Sequence, residues 1–193
     1  MPHPAKRKEG NRALALSARL LTVFRFVALP GFLWMMAAAA GGRSSGAPLV
    51  VLYLAVALSD FFDGRLARAA GAAEPRWAIL DVAADVTFNL ASLACAAWLG
   101  LVGLWVPAGV AVLAGRFVAR NLTLPAPSGD TLAEDRAGKL AGVIYYALVG
   151  IVVGELAAGV PGRRAVSLAG DLTFLYTLLV LGTSLRRPPK SSA

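Results

Sequence analysis

The sequence predicts an all-α, polytopic membrane protein, folded as a bundle of six transmembrane helices. Three observations predict it. Hydrophobic residues fill 58% of the 193 positions and charged residues only 16%, a balance foreign to soluble domains of this size. Six apolar runs approach the roughly 20 residues that a helix needs to cross about 30 Å of hydrocarbon. Clusters of Gly, Pro and Ser, or of charge, punctuate the chain between them.

The first run, Ser17 to Ala40, follows a basic start and ends in AAAAGG, as a cleaved leader would. It is too long for that and contains Arg25, so it is expected to stay as the first span. Residues 1–16 read as a basic cytoplasmic tail, in which His3 has no assigned role. The turn GGRSSGAP leads to the second span, Pro48 to Ala70, and the third runs from Trp77 to Leu99. The fourth, Leu101 to Arg120, follows after a very tight connection, with Gly100, Gly103 and Pro107 as candidate bends. Asn121 to Arg136 is the longest polar segment and is expected to be an ordered loop or surface helix. The fifth span, Ala137 to Ala158, turns through AGVPGRR into the sixth, Val166 to Leu185. Residues 17–187 thus form one membrane domain and 188–193 a C-terminal tail, with no internal repeat. The single Cys95 lies mid-span, without a second cysteine for a disulfide or a thiolate metal cluster.

The formal net charge of +8 is distributed by side. If the spans alternate, Lys6, Lys8, Arg65, Arg68, Arg76, Arg116, Arg120, Arg136, Lys139, Arg186 and Arg187 share one side of the membrane. Arg43, Arg163 and Arg164 fall on the other. Positive charge marks the cytoplasmic face, so both termini are expected there. These groups meet anionic head groups, which makes membrane lipid the expected partner and excludes nucleic acid. Trp34, Trp98 and Trp105 read as interfacial or bundle aromatics, and Glu155 and Asp171 as solvated helix ends on the far side.

Positions 60 to 85 read DFFDGRLARAAGAAEPRWAILDVAAD. Asp60, Asp63, Gly64 and Ala67 fall at i, i+3, i+4 and i+7, one face of a helix. Asp81 and Asp85 are i and i+4 on the next span. A short cytoplasmic turn brings the two faces together, and four carboxylates converge. Like charges at that spacing cannot all stay ionised without something positive among them. A divalent cation, or a pair, answers this, and oxygen-only ligands favour Mg²⁺ or Mn²⁺ over zinc, with calcium left open. Gly64 and Ala67 allow a phosphate-bearing ligand to approach the backbone, and Arg68 lies on the same side to pair with phosphate. A plainer alternative is acids that cap membrane helices and are neutralised by nearby arginines.

The stretch resembles the signature of the CDP-alcohol phosphatidyltransferase family, D-x2-D-G-x2-A-R-x8-G-x3-D-x3-D. Asp60, Asp63, Gly64, Ala67, Arg68, Asp81 and Asp85 match it without a gap. More weakly, LLTVFRFVALP, with Thr22, Arg25 and Pro30, is similar to the family's first span, and AGKLAG, with Gly138 and Lys139, to the start of its fifth. The resemblance implies a metal-dependent membrane transferase. Asp60, Asp63 and Asp81 would hold two Mg²⁺ or Mn²⁺ ions, with Asp85 a further ligand and the general base. Gly64, Ala67 and Arg68, beside Asp60, would seat the CMP part of a CDP-linked lipid donor such as CDP-diacylglycerol. An acceptor alcohol would attack the phosphorus attached to the lipid, and CMP would leave. The expected location is the bacterial inner (cytoplasmic) membrane with the active site cytoplasmic, and a homodimer is a possible assembly. The pattern's second glycine falls at Trp77, and Glu74 stands where many members carry a hydroxyl residue.

Arg116 and Arg120 are i and i+4 at the cytoplasmic end of the fourth span, and Lys139 opens the fifth. A cluster of these three suits an acceptor that already carries a phosphate, such as glycerol 3-phosphate or an inositol phosphate. Arg25 lies about two turns into the first span and is expected either to snorkel to the surface or to reach substrate. Tyr145 and Tyr146 receive no assignment. Two other readings compete with the transferase. Trp77 and Glu74 fit a catalytically silent lipid- or nucleotide-binding protein, and intramembrane carboxylates alone fit a divalent-cation transporter.

Overall fold

The computed structural model describes the backbone of residues 4–70, 75–123, 136–159 and 163–185, and the side chains of 16–17, 19–60, 62, 79–119, 140–159 and 164–183. Among the described residues there are six helices: α1 (Pro4–Ala40), α2 (Ala47–Ala70), α3 (Pro75–Trp98), α4 (Trp105–Thr123), α5 (Arg136–Ala158) and α6 (Arg163–Leu185). Four contain stretches long and apolar enough to cross a membrane: Arg19–Ala40, Ile79–Trp98, Leu140–Ala158 and Arg164–Thr183. The apolar parts of α2 and α4 are shorter, Ala47–Asp60 and Trp105–Ala119. Asp60 ends the first of these; Arg116 lies in the last turn of the second and Arg120 directly follows it.

The helix ends follow from local chemistry. α1 and α3 each stop where a glycine adopts a positive φ, 66° at Gly42 and 70° at Gly100. Past each glycine the next amide reaches back five residues to the helix, Arg43 to the Ala38 carbonyl and Leu101 to the Ala96 carbonyl, both at 2.9 Å. α2 carries Pro48 in its first turn and α3 opens on Pro75, positions where the missing N–H costs no helix bond.

Two boundaries differ from those expected. α1 begins at Pro4, well before Ser17, so the helix runs on through the basic segment. The expected fourth span from Leu101 is corrected: α4 begins only at Trp105, and Leu101 and Val102 belong to the connection. Both are buried in the core, and an apolar loop that packs inward has the composition of a span.

The bundle is organised around α1 and α5. α1 packs along α2 and α3, α5 closes against α2, α3 and α1, and α6 packs on α5 and α4, with α4 also on α3. On α1 the inward face carries Thr22, Arg25, Leu29, Phe32 and Met36, alternating three- and four-residue steps. On α2 it carries Leu49, Tyr53, Val56 and Asp60, and on α3 Asp81, Asp85, Phe88, Ser92 and Ala96. The acids therefore continue the core faces of α2 and α3 at one end of the bundle. Large apolar side chains cover the outside, among them Val27 and Trp98, 71% and 77% exposed. An apolar exterior of this extent is a surface for lipid.

Small residues set the close crossings. A Cβ at Gly46 would collide with the backbone of Ala157, so α2 starts against the end of α5. One face further along, Tyr53 donates its hydroxyl to the Tyr146 carbonyl at 2.8 Å, tying α2 to α5 again. Asp171 is no bare solvated end, because it accepts a 3.0 Å bond from the Trp105 indole and so links α6 to α4.

Candidate active site

The centre of the site is Arg25. Its guanidinium, with no exposed side-chain surface, donates to Oδ1 of Asp60 at 3.2 Å and to Oδ1 of both Asp81 and Asp85. Three helices thus supply one ion cluster: the cation from α1, one acid from α2 and two from α3. Of the two alternatives for Arg25, snorkelling to the surface does not occur. Its charge cannot be shed, since guanidinium stays protonated, so burial demands acidic partners at hand.

The carboxylates themselves are more open. The side chains of Asp60, Asp81 and Asp85 are 36%, 35% and 29% exposed, whereas that of Arg25 is 0%. The guanidinium therefore lies beneath a rim of acids whose outer sides are accessible. With all three ionised, three negative charges against one positive leave a formal excess of two negative charges.

Two hydroxyls orient the rim. Thr22, one turn before Arg25, donates to Asp81 Oδ1 at 3.3 Å. Tyr146 of α5 donates to Asp85 Oδ1 at 3.2 Å. The Tyr146 ring stacks on Phe88, centroids 5.8 Å apart, and Phe88 in turn meets Phe32 at 5.0 Å. That aromatic column stands under the site and fixes the height of the hydroxyl. Below Asp85, Asn89 donates its amide to the Asp85 carbonyl at 3.0 Å, holding that turn of α3.

The structure brings together Asp60, Asp81 and Asp85 of the residues expected at the site, and adds Arg25, Thr22 and Tyr146. Asp63, Gly64, Ala67 and Arg68 lie in the helical backbone of α2, but their side chains fall outside the described ones. The side chains of Trp77, Arg120 and Lys139 also fall outside, as does Glu74 altogether. Arg116 lies half-buried in the second half of α4. The sequence leaves Tyr146 without an assignment because an aromatic in an apolar run reads equally as core. The available signal was its hydroxyl, which needs a partner once the ring is buried.

Among the described residues, no group of three or more His, Cys, Asp or Glu is arranged as a metal site. The guanidinium occupies the position between the carboxylates. In donor chemistry the three acids still suit a hard divalent cation: oxygen ligands only, gathered round one guanidinium, with negative charge in excess.

A family model for CDP-alcohol phosphatidyltransferase matches residues 15–182. The cardiolipin synthase (CMP-forming) of Streptomyces coelicolor is 32% identical over 102 residues, 52% of this chain and 46% of that relative. The match thus spans less than half the length of the relative. No solved structure matches. The family match starts ahead of Thr22 and Arg25 and ends within α6, so it takes in every helix that contributes to the carboxylate cluster, and this chain belongs to the CDP-alcohol phosphatidyltransferase family.

Proposed function

We propose that this integral membrane protein transfers a phosphatidyl, or substituted phosphate, group from a CDP-alcohol such as CDP-diacylglycerol to an acceptor alcohol, releasing CMP. The observation that carries this is the meeting of Asp60, Asp81 and Asp85 at the end of an apolar bundle. Family membership and the similarity to a CMP-forming synthase support it. A donor with acyl chains stays in the leaflet while its cytidine faces water, and a site at the bundle's end serves both parts.

In this reading Asp85 is the general base. It takes the proton of the acceptor hydroxyl as that oxygen bonds to the lipid-side phosphorus, and the bond from that phosphorus to CMP breaks. Tyr146 holds the Asp85 oxygen and Thr22 that of Asp81, so both carboxylates meet substrate already oriented. Asp60, Asp63, Asp81 and Asp85 would hold Mg²⁺ or Mn²⁺, one ion or two, which supplies charge neutralisation at the pyrophosphate. Gly64, Ala67 and Arg68 would receive the CMP portion, with Asp60 beside them.

Arg116, Arg120 and Lys139 favour an acceptor that carries a phosphate, glycerol 3-phosphate or an inositol phosphate. The similarity to a cardiolipin synthase favours a second reading, an alcohol borne by a phospholipid. The proposed setting is a bacterial inner membrane crossed six times, with both termini and the site on the cytoplasmic side and, in a homodimer, two such sites. The test is CMP release by purified protein from CDP-diacylglycerol with Mg²⁺ or Mn²⁺ and glycerol 3-phosphate, inositol phosphate or phosphatidylglycerol. CMP is expected with one acceptor, and Asp85→Asn is expected to lower its rate by about 10²- to 10⁴-fold. A folded protein that releases no CMP with any acceptor overturns the transfer reading.

A further inference from the structure

The transfer reading gives Arg25 no task, yet Arg25 is the best-buried charge among the described residues and the point on which three acids converge. We propose that Arg25 is a positioning residue, the built-in counter-cation that holds Asp60, Asp81 and Asp85 together and competes with a divalent cation for the same carboxylates. This rests on the metal-dependent form of the proposed function and deepens it.

The geometry sets up the competition. The guanidinium bonds to Oδ1 on each of the three carboxylates, and those carboxylates are themselves partly exposed. A Mg²⁺ or Mn²⁺ ion drawing on them binds the same carboxylates within a few ångströms of the guanidinium, so the two cations compete for one set of negative charges. Its double charge also lies within a few ångströms of a fixed positive one, in surroundings poor in water, and the two repel. Against this, Arg25 keeps three mutually repelling acids converged before any ion arrives.

Repulsion outweighs that help, because the acids have other supports. α2 and α3 both pack on α1, Thr22 holds Asp81, and Tyr146 holds Asp85. Without Arg25 the carboxylates stay near one another and the metal alone neutralises them. Arg25 therefore strengthens the metal-free protein and weakens its grip on the ion. A purely structural arginine gives the opposite sign for the second effect, since its loss disorders the ligands.

The experiment is Mn²⁺ binding to the purified full chain in detergent, with the metal alone, followed by the EPR signal of the free ion. Thermal unfolding is measured in parallel with and without Mn²⁺. Arg25→Met is expected to melt below wild type in chelator, to bind Mn²⁺ at least about tenfold more tightly, and to gain more melting temperature from it. Should Arg25→Met not give monodisperse protein, Arg25→Lys carries the test. A single ammonium engages fewer oxygens at once, and a several-fold tighter Kd is expected. An unchanged or weaker Mn²⁺ affinity in a folded variant overturns the proposal, and so does a wild-type protein that binds no Mn²⁺. CMP release is scored separately, so loss of this inference and loss of the transfer reading are told apart.

Discussion

Tyr145 and Tyr146 are neighbours in sequence with unrelated tasks, because one helical step turns a side chain by about 100°. Tyr145 shares a 2.9 Å hydrogen bond with Thr177 of α6, inside the bundle, whereas Tyr146 reaches Asp85. A hydrogen bond to an ionised group contributes about 1.5–3 kcal/mol, or roughly 10- to 100-fold in a rate that depends on it. Tyr146→Phe keeps the ring on Phe88 and is expected to slow CMP release by that factor; an unchanged rate shows that the hydroxyl does not orient Asp85. The meeting of Asp60 with Asp81 and Asp85 was legible in the sequence, since the i, i+4 pair on the third span shares one face and a short turn brings the second span's end beside it. Their cation was visible as an oddity at Arg25 but not as their partner. Contact between residues 35 to 60 positions apart depends on how α1 crosses α2 and α3, which no local pattern records.

At the scale of elements, helix crossings rest on where side chains are missing. Gly46 has no room for a Cβ because backbone of α5 fills that space, whereas Gly154, on α5 itself, has nothing within 4 Å. Overpacking against backbone costs about 1–3 kcal/mol, while an open helical Gly→Ala gains about 0.5–1 kcal/mol from lost chain entropy. Gly46→Ala is therefore expected to lower the apparent melting temperature in detergent and Gly154→Ala to hold or raise it; equal effects would mean that α2 and α5 do not cross there. The same physics explains which boundaries could be read in advance. Spans two, three, five and six begin and end within a few residues of α2, α3, α5 and α6, because glycine, proline or charge marks each end. The start of α4 could not be read. Leu101 and Val102 are loop residues held in the core by packing, with Val102 set against Gly170 of α6, and composition cannot separate a buried loop from a helix.

For the whole molecule the decisive quantity is length against bilayer thickness. The apolar part of α2, Ala47–Asp60, rises only about 20 Å at 1.5 Å per residue, short of the roughly 30 Å of hydrocarbon. The complete α2 helix of 24 residues rises about 36 Å, which is enough. If α2 crosses, its charged last third must sit at the far edge, and Asp60 enters the membrane boundary together with Asp81 and Asp85. Arg25 then has a second role in the fold, since it neutralises part of the charge that α2 and α3 carry to that edge. If α2 does not cross, α1 does not either, because Arg25, near the start of α1's apolar stretch, is bonded to Asp60; the site then lies on the same side as the turn after α1, and the positive-side pattern that places Arg43 opposite Arg65 and Arg68 fails. Labelling separates these cases. Cys95 is the single cysteine, so Cys95→Ser gives a background into which Ser44→Cys, Ala72→Cys or Ser191→Cys is introduced. With a membrane-impermeant maleimide on intact cells, Ser44→Cys is expected to react, and Ala72→Cys and Ser191→Cys only after the membrane is opened. Reaction of both Ser44→Cys and Ala72→Cys from outside would show that α2 stays on one side. It would then put the carboxylates on the side opposite the cytoplasmic one proposed for the site.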